Sequence, residues 1–365
     1  MRRLVSVIMP VWNEADSIEA AVCSVLGQDW PRDDLEVCVV DGGSTDGTRD
    51  ILARLARQDP RLRLLENPRR IIPVGLNLGL RAARGELLAR LDGHGIWPPG
   101  YLRECVARLD REPGLVMVGG AWDCVGEGWL GAAVARAVAS PWGVGNARYR
   151  TVSTSDPVQT VDSVPFWVTR RETFEQVGLF HEGFPCHEDY EFNYRLRQAG
   201  GRVILLPGVR AQYRVRSTLG RLARQYLRYG HWKGRFLTMA PGSLQPRHAV
   251  PPLWMAANVG LGGAALMDGT WVPVAAAWGL LYAAWLGLAT IKLTRPPRPG
   301  GWDRRSGLVL PLVLFMIHAC WGSGVWSGLV RGPVRGRPPR GLGRPEEKPP
   351  LRQTAGEPGA PTAVG

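Results

Sequence analysis

Short apolar runs alternate with amphipathic stretches over the first 90 residues. Residues 4–9 (LVSVIM) are apolar and rich in β-branched side chains, and they read as a buried strand that ends at Pro10. Beyond Asp16 or Ser17, either of which can cap a helix, Ile18, Ala21, Val22, Val25 and Leu26 share one helical face. Residues 35–40 (LEVCVV) predict a second strand, followed by a Gly-rich turn over 41–47 and a helix to about Gln58. A third strand is expected over 62–65, a helix of small residues over 73–83, and a fourth strand over 86–91 that ends at Asp92. This alternation predicts a parallel sheet covered by helices on both faces. Ligands of such sheets bind beyond the carboxyl ends of the strands. Residues 10–14, 41–47 and 92–94 all lie at those ends, where one cleft can hold all three.

The pattern is weaker downstream. Residues 113–165 are frequent in Gly and Trp, and are expected to form loops with a few antiparallel strands. Residues 174–179 should follow a short helix. Residues 187–189 lead into a helix over 190–198, stopped by Gly200-Gly201, with a further strand over 202–206.

After residue 250 the chain turns apolar. Residues 251–267 are short for a membrane span, 271–291 match the ~20 residues that a bilayer requires, and 308–330 are a third candidate. A tight turn at Asp268-Gly269-Thr270 makes the first two a hairpin. The basic connector over 292–305 belongs on the cytoplasmic side. Three full spans would then place the basic tail after Arg331 outside, against the charge bias. Either the third segment is re-entrant or interfacial, or the bias fails here. The expected organisation is an α/β domain over 1–235, a membrane-associated region over 236–330 with helices at about 252–267, 271–291 and 308–330, and a disordered basic Pro/Gly-rich tail over 331–365.

Composition narrows the partners. The net charge is +13. The arginines are dispersed or clustered beside apolar segments, and neither an aromatic-interleaved RNA-binding signature nor zinc-finger spacing is present. Anionic lipid and a small anionic ligand explain the charge better than nucleic acid does. The six cysteines include no C-x-x-C pair and several lie in apolar runs, as reduced, buried thiols do. No secretory signal peptide opens the chain, so the N-terminal domain is expected in the cytosol, at the inner or plasma membrane.

Four constellations carry chemistry. The first joins Pro10, Trp12 and Glu14 to the turn Asp41-Gly42-Gly43-Ser44-Thr45-Asp46-Gly47, where glycines admit a ligand close to the backbone and carboxylates can meet a base or ribose. The alternative is an ordinary turn in which Asp46 caps a helix. In the second, Asp92 and His94 stand two residues apart and can face one divalent cation on a diphosphate, or simply form a polar turn. The third is His187-Glu188-Asp189-Tyr190. Asp189 is either a general base, with its pKa lowered by a helix N-terminus, or an N-cap. The fourth is Gln225, Arg228 and Tyr229 on one helical face, which can cover an acceptor or diphosphate. The same basic helix can instead turn Arg221, Arg224, Arg228 and Lys233 to anionic lipid.

Order and spacing together resemble the family 2 glycosyltransferases of the GT-A fold, within the bacterial branch of succinoglycan-type exopolysaccharide glucosyltransferases. The residues that carry the resemblance are SVIMPVWNEADSIEAAVCSV, VVDGGSTDGT, ENPRRIIPVGLNLGLRAARGELLARLDGH, VPFWVTRRETFEQVGLF, HEDYEFNYRLRQAGG and RQYLRYGHWK, over roughly residues 4–235. The implied fold is α/β, a Rossmann-like mixed sheet of the nucleotide-diphospho-sugar transferase type, followed by transmembrane helices. The resemblance implies that Pro10, Trp12, Glu14, Asp41, Gly43 and Asp46 line the nucleotide pocket, and that Asn77 and Arg90 support the donor cleft. Asp92 and His94 match the D-x-D position that holds Mg²⁺ or Mn²⁺, with His94 in place of the second Asp. Asp189, beside Glu188, matches the catalytic base. Gln225, Arg228 and Tyr229 match a Q-x-x-R-W position with Tyr in place of Trp, which favours addition of one sugar over processive polymerisation.

The implied reaction is an inverting transfer from a nucleotide-sugar, UDP-linked, to a polyprenyl-linked glycan at the bilayer. Two other classes compete: a non-catalytic membrane scaffold that keeps the fold, and a dinucleotide-dependent oxidoreductase. The first turn reads P-V-W-N-E rather than G-x-G-x-x-G, which argues against the oxidoreductase.

Overall fold

A computed structural model describes residues 3–112, 114–295 and 301–337. The middle of the basic connector, and the part of the expected disordered tail over 338–365, lie outside the described residues.

The strands are β1 (Val5–Val11), β2 (Leu35–Asp41), β3 (Leu62–Glu66), β4 (Leu87–Arg90), β5 (Gly95–Ile96), β6 (Leu115–Val125), β7 (Gln159–Thr160), β8 (Trp167–Arg170) and β9 (Arg202–Arg214). They form one mixed sheet in the order β3-β2-β1-β4-β8-β6-β9-β5, with β7 on β9. β1 to β4 are mutually parallel, as their alternation with helices predicts, while β8 runs antiparallel to both β4 and β6. Side-chain alternation along β1 sends Val7 and Met9 into one core and Ile8 into the other, so both sheet faces are covered.

The helices α1 (Ile18–Leu26), α2 (Thr48–Gln58), α3 (Ile72–Ala82) and α4 (Tyr101–Arg111) follow the first strands. Pro10 does not end β1; the strand continues to Val11. Pairing with β4 stops at Ile8, so at Pro10 only β2 remains alongside and the missing N–H is tolerated.

The middle of the chain departs most from expectation. β6 is a long internal strand paired in parallel with β9. It is followed by the helices α5 (Gly128–Val138), α6 (Pro141–Val144) and α7 (Arg148–Thr151) rather than by loops. The Ala-rich run of α5 is buried, and burial outweighs the glycines that flank it. β9 likewise continues to Arg214, with a register shift where Pro207 interrupts the ladder. The remaining catalytic-domain helices are α8 (Glu172–Val177), α9 (Glu188–Gln198) and α10 (Leu219–Met239).

Three helices are long and apolar enough to cross a membrane: α11 (Pro246–Met267), α12 (Val272–Leu293, preceded by a turn from Gly269) and α13 (Arg304–Arg331). All are longer than expected, and α11 alone carries 22 residues. α13 is also partly buried in the protein: Leu310, Val313, Leu314 and Ile317 join the core that contains Val134 and Val138 of α5. Lys233 does not face lipid. It is fully buried, its ammonium 3.8 Å from the Tyr190 ring centroid and donating to the Ser243 carbonyl at 3.3 Å.

α10 and α13 cross backbone to backbone. Gly230 and Gly234 on one meet Gly324 and Gly328 on the other, and a Cβ built on Gly328 would collide with the His231 carbonyl and lie 2.9 Å from Gly234 Cα. Gly328→Leu is therefore expected to destabilise the protein by at least the ~1–3 kcal/mol typical of overpacking. Thermal unfolding of the purified protein in detergent checks this, and an unchanged Tm would show that the two helices separate freely.

Candidate active site

The first two turns are welded together by their own polar groups. The Asn13 amide donates to Ser44 Oγ at 2.8 Å and the Thr45 amide to Asn13 Oδ1 at 2.9 Å, with Asn13 in the left-handed region at φ 54°. Asp41 accepts from the Gly43 amide at 3.0 Å and from Ser44 Oγ at 2.5 Å, so its carboxylate shapes the turn directly. Gly43 holds φ 74° beneath the Arg70 guanidinium, a conformation that favours glycine. Asp46 accepts from the Thr48 amide and hydroxyl and from the Ala15 amide, which ties the start of α2 to the first turn. Slight burial opposes its ionisation, but these bonds prevail and lower its pKa. Pro10 is half-buried at the end of β1, and Trp12 projects with 58% of its surface exposed.

The third turn joins them through Glu14. Glu14 Oε1 lies 2.8 Å from His94 Nδ1, and Ser17 Oγ donates to the Gly93 carbonyl at 3.0 Å. Burial works against a charged His94, yet the bond to Glu14 and the charges of Glu14 and Asp92 raise its pKa. Asp92 Oδ1 accepts from Arg90 Nε at 2.8 Å. Among the described residues there is no group of three or more His, Cys, Asp or Glu side chains placed to hold a metal.

Asn77 is buried away from this cleft. It brackets Phe180, donating to its carbonyl at 2.9 Å and accepting from its amide at 3.0 Å, and so fixes the segment that leads to α9.

α9 begins at Glu188, earlier than expected, with His187 as its N-cap at φ 66°. Asp189 is thus inside the first turn and is not the cap. Arg90, buried on β4, joins the two carboxyl-bearing segments: its Nη2 lies 3.0 Å from Glu188 Oε1 while its Nε holds Asp92. Asp189 has no cation within ion-pair distance among the described residues and accepts only from the Tyr190 amide, at 2.7 Å. The pKa of Asp189 is raised, not lowered. Burial is the largest cause, Asp92 adds repulsion, and Arg90 offsets only part. A helix-terminus effect of ~0.3–1 kcal/mol does not overcome burial of the charge. Burial likewise pushes Glu188 up to about 7, again against Arg90.

Asp92, His94, Arg90, Glu188 and Asp189 line one cavity of about 1010 Å³, together with Gln225, Arg228 and Tyr229 from α10. Gln225 Nε2 donates to the Tyr229 hydroxyl at 2.8 Å, which confirms their shared helical face. The first two turns lie outside the lining of that cavity and join it through the His94–Glu14 bond. Trp122, Tyr149, Arg150 and Tyr213 also line it, and no motif in the chain marks them. They come from β6, α7 and β9 and meet only in space; the aromatic residues of 113–165 were the available signal. The lining continues onto α11, α12 and α13.

The arrangement offers a carboxylate free to take a proton beside a carboxylate fixed by arginine, at the carboxyl ends of parallel strands. Comparisons with known proteins give the family. The chain is 31% identical over 333 residues to the succinoglycan biosynthesis protein ExoA of Rhizobium meliloti, covering 89% of this chain and 94% of that protein. It is 23% identical to a Methanococcus voltae dolichyl N-acetyl-alpha-D-glucosaminyl phosphate 3-beta-D-2,3-diacetamido-2,3-dideoxy-beta-D-glucuronosyltransferase, over 90% of this chain and 98% of that enzyme. Among solved structures, the mannosyltransferase PcManGT from Pyrobaculum calidifontis in complex with GDP-Man and Mn²⁺ matches with a TM-score of 0.55 and 26% identity, covering 87% of this chain and 86% of that one. Residues 6–178 match the family described as glycosyl transferase family 2. With its GT-A-like sheet, its free and clamped carboxylates and a relative similar over nearly its whole length, this chain belongs to glycosyl transferase family 2.

Proposed function

We propose that the protein is an inverting, metal-dependent hexosyltransferase that uses UDP-hexose and extends a polyprenyl-diphosphate-linked glycan in exopolysaccharide or cell-envelope synthesis. Its catalytic domain stands on the cytoplasmic side of the inner or plasma membrane. The observation that carries this reading is the division of labour at α9: Arg90 takes Glu188, while Asp189 faces the same cavity with no cation on it.

Asp189 takes the proton of the acceptor hydroxyl as that oxygen attacks the anomeric carbon from the side opposite the leaving diphosphate, so an α-linked donor gives a β-glycoside. Glu188 is a positioning residue through Arg90. The donor nucleotide rests on the welded turns, with Pro10, Trp12, Glu14, Asp41, Gly43 and Asp46, and Asn77 supports the donor cleft through the segment before α9. Gln225, Arg228 and Tyr229 cover the acceptor or diphosphate.

The residues fit Mg²⁺ or Mn²⁺. Arg90 occupies one oxygen of Asp92, and the hydrogen bonds within the protein leave the other open. One or two carboxylates plus substrate phosphates are the usual donors for such ions. Asp92 would hold the cation, with His94 Nε2 as a further ligand while Nδ1 is committed to Glu14. When bound, the cation neutralises charge that develops on the leaving diphosphate. The similar mannosyltransferase from Pyrobaculum calidifontis was solved with GDP-Man and Mn²⁺, which supports this reading.

Purified full-length protein in detergent is to be screened against UDP- and GDP-linked hexoses with a prenyl-diphosphate-linked monosaccharide, reading released nucleoside diphosphate. One UDP-hexose is expected to turn over and to yield a β-linkage. Turnover with no donor would favour the scaffold, and an α-linked product from an α-linked donor would refute inversion.

A further inference from the structure

The cavity has a second centre away from the carboxylates. Arg150 on α7 is 8% exposed and lies in a cage of rings, its guanidinium carbon 4.9 Å from the Trp122 centroid, 5.2 Å from Tyr213 and 5.5 Å from Tyr149. Trp122 and Tyr213 are stacked at 4.0 Å, and Tyr149 meets Trp122 edge-on. Among the described residues no carboxylate stands within 4.0 Å of Arg150, and its buried Nε has no hydrogen-bond partner. Other well-covered arginines of this cavity differ: Arg90, buried, is paired with Asp92 and Glu188, and Arg247, half-buried, with Asp162. A buried cation without an anion is costly, so an unpaired one facing a cavity marks where an anion binds. The site is close to the chemistry, since the charge of Asp189 acts on the adjoining Tyr149 hydroxyl.

The cavity wall beyond is apolar and aromatic. Trp254 of α11 packs at 4.3 Å on Tyr282 of α12, which stacks on Trp285 at 5.9 Å. Trp285 in turn lies 5.0 Å from Trp142 of α6, which joins the membrane helices to the segment that carries Arg150. All of these line the same cavity, and α11 and α12 are two of the helices long enough to span a bilayer.

We propose that Arg150 binds the phosphate end of a prenyl-diphosphate-linked acceptor, whose hydrocarbon runs along the Trp254–Tyr282–Trp285 wall between α11 and α12. The proposal rests on the lipid-linked acceptor of the preceding reading and adds the residues that recognise it. Charge complementarity selects the occupant: the unpaired guanidinium requires an anion, and the contiguous aromatic wall requires a chain attached to it. A nucleotide supplies only the first and a prenyl alcohol only the second. Tyr149 adjoins Arg150 and feels the charge of Asp189, so a diphosphate held on Arg150 would bring the first sugar beyond it toward the base.

The test uses farnesyl diphosphate, farnesol and inorganic diphosphate as probes of the full-length protein in detergent, with binding read by quenching of the cavity tryptophans and by calorimetry. Farnesyl diphosphate is expected to bind more tightly than either fragment. Arg150→Gln is expected to weaken farnesyl diphosphate about tenfold or more, the size of a lost hydrogen bond to a charged group, while farnesol and UDP stay within about twofold. Arg150→Lys, which keeps the charge, should recover part of the loss. Trp285→Ala should weaken farnesyl diphosphate and farnesol alike and leave UDP unaffected. Equal affinity of farnesyl diphosphate and farnesol for the unaltered protein would overturn the anion site, and so would displacement of farnesyl diphosphate by UDP. Should Arg150→Gln unfold, those two comparisons on the unaltered protein decide. Binding needs no turnover, so a donor screen without transfer would defeat the enzymatic reading and leave this site standing.

Discussion

Asp189→Asn is expected to lose ~10²–10⁴-fold in turnover, the usual worth of general-base assistance, while UDP binds nearly as well as before. The asparagine oxygen can still accept from the Tyr190 amide, and the N-cap position of α9 is His187 rather than Asp189, so the substitution removes the basic function and little else. Single-turnover rates beside nucleotide affinity separate the two effects. A variant at near wild-type rate would move the base elsewhere, with Glu188 as the first candidate. The pH profile carries an independent sign. A base acts when ionised, and burial raises the pKa of Asp189, so activity should fall with decreasing pH earlier than an ordinary carboxylate would dictate. Glu188 is pushed up to about 7, by burial first and with the Asp189 charge as a lesser cause, so on the acidic limb it is largely protonated and neutral, as glutamine is. Glu188→Gln should therefore cost less rate than Asp189→Asn and leave the acidic limb near its original position. A limb that shifts to higher pH, or one that persists in Asp189→Asn, would argue against this pairing.

Asp92→Ala should be at least as damaging, by roughly 10³-fold, the scale of several kcal/mol of electrostatic stabilisation by a cation on a leaving diphosphate. EDTA should abolish transfer by the unaltered protein, and Mn²⁺ or Mg²⁺ should restore it; neither ion should restore the variant at any concentration. Because Asp92 also holds Arg90 Nε, loss of a support for Glu188 must be separated from loss of a ligand. Asp92→Asn retains a hydrogen-bond acceptor for Arg90 and should still fail with added cation. Full activity of the unaltered protein in EDTA would remove the metal from the mechanism.

The legible parts of the sequence are those in which one local rule decides. β1 to β4 and their helices announce themselves by apolar runs and helical periodicity, because burial on both sheet faces leaves no choice of register. The segment over 113–165 fails because Gly and Trp, taken as loop punctuation, are interior residues of a long strand and an Ala-rich buried helix. The site follows the same division. Asp189, Asp92 and Tyr229 are recognisable from motifs and do share a cavity, but the direction of the Asp189 shift depends on the buried charges around it. Asp46 accepts from Thr48 two residues on, as its spacing allows, although Gly47 holds the N-cap position of α2, whereas Asn77 gives no local sign that its partner is Phe180. Charge alone offers Lys233 to anionic lipid as one of two readings of the helix, and tertiary burial removes it from that face. Arg150 is invisible because its cage is built from residues 122, 149 and 213.

The glycine seam between α10 and α13 has a mechanical consequence. α10 brings Gln225, Arg228 and Tyr229 to the reacting groups, and its glycine face is clamped to a helix long enough to cross the bilayer, with no side chains between the two backbones to yield. The crossing thus leaves no hinge between chemistry and anchor. On the membrane placement proposed above, the reacting groups then stand at one height over the lipid, like a tool on a fixed arm. An acceptor whose free end lies at that height would be extended, and the sugar it gains would carry the new end past the tool. The single addition expected from Tyr229 would then need no separate off-switch.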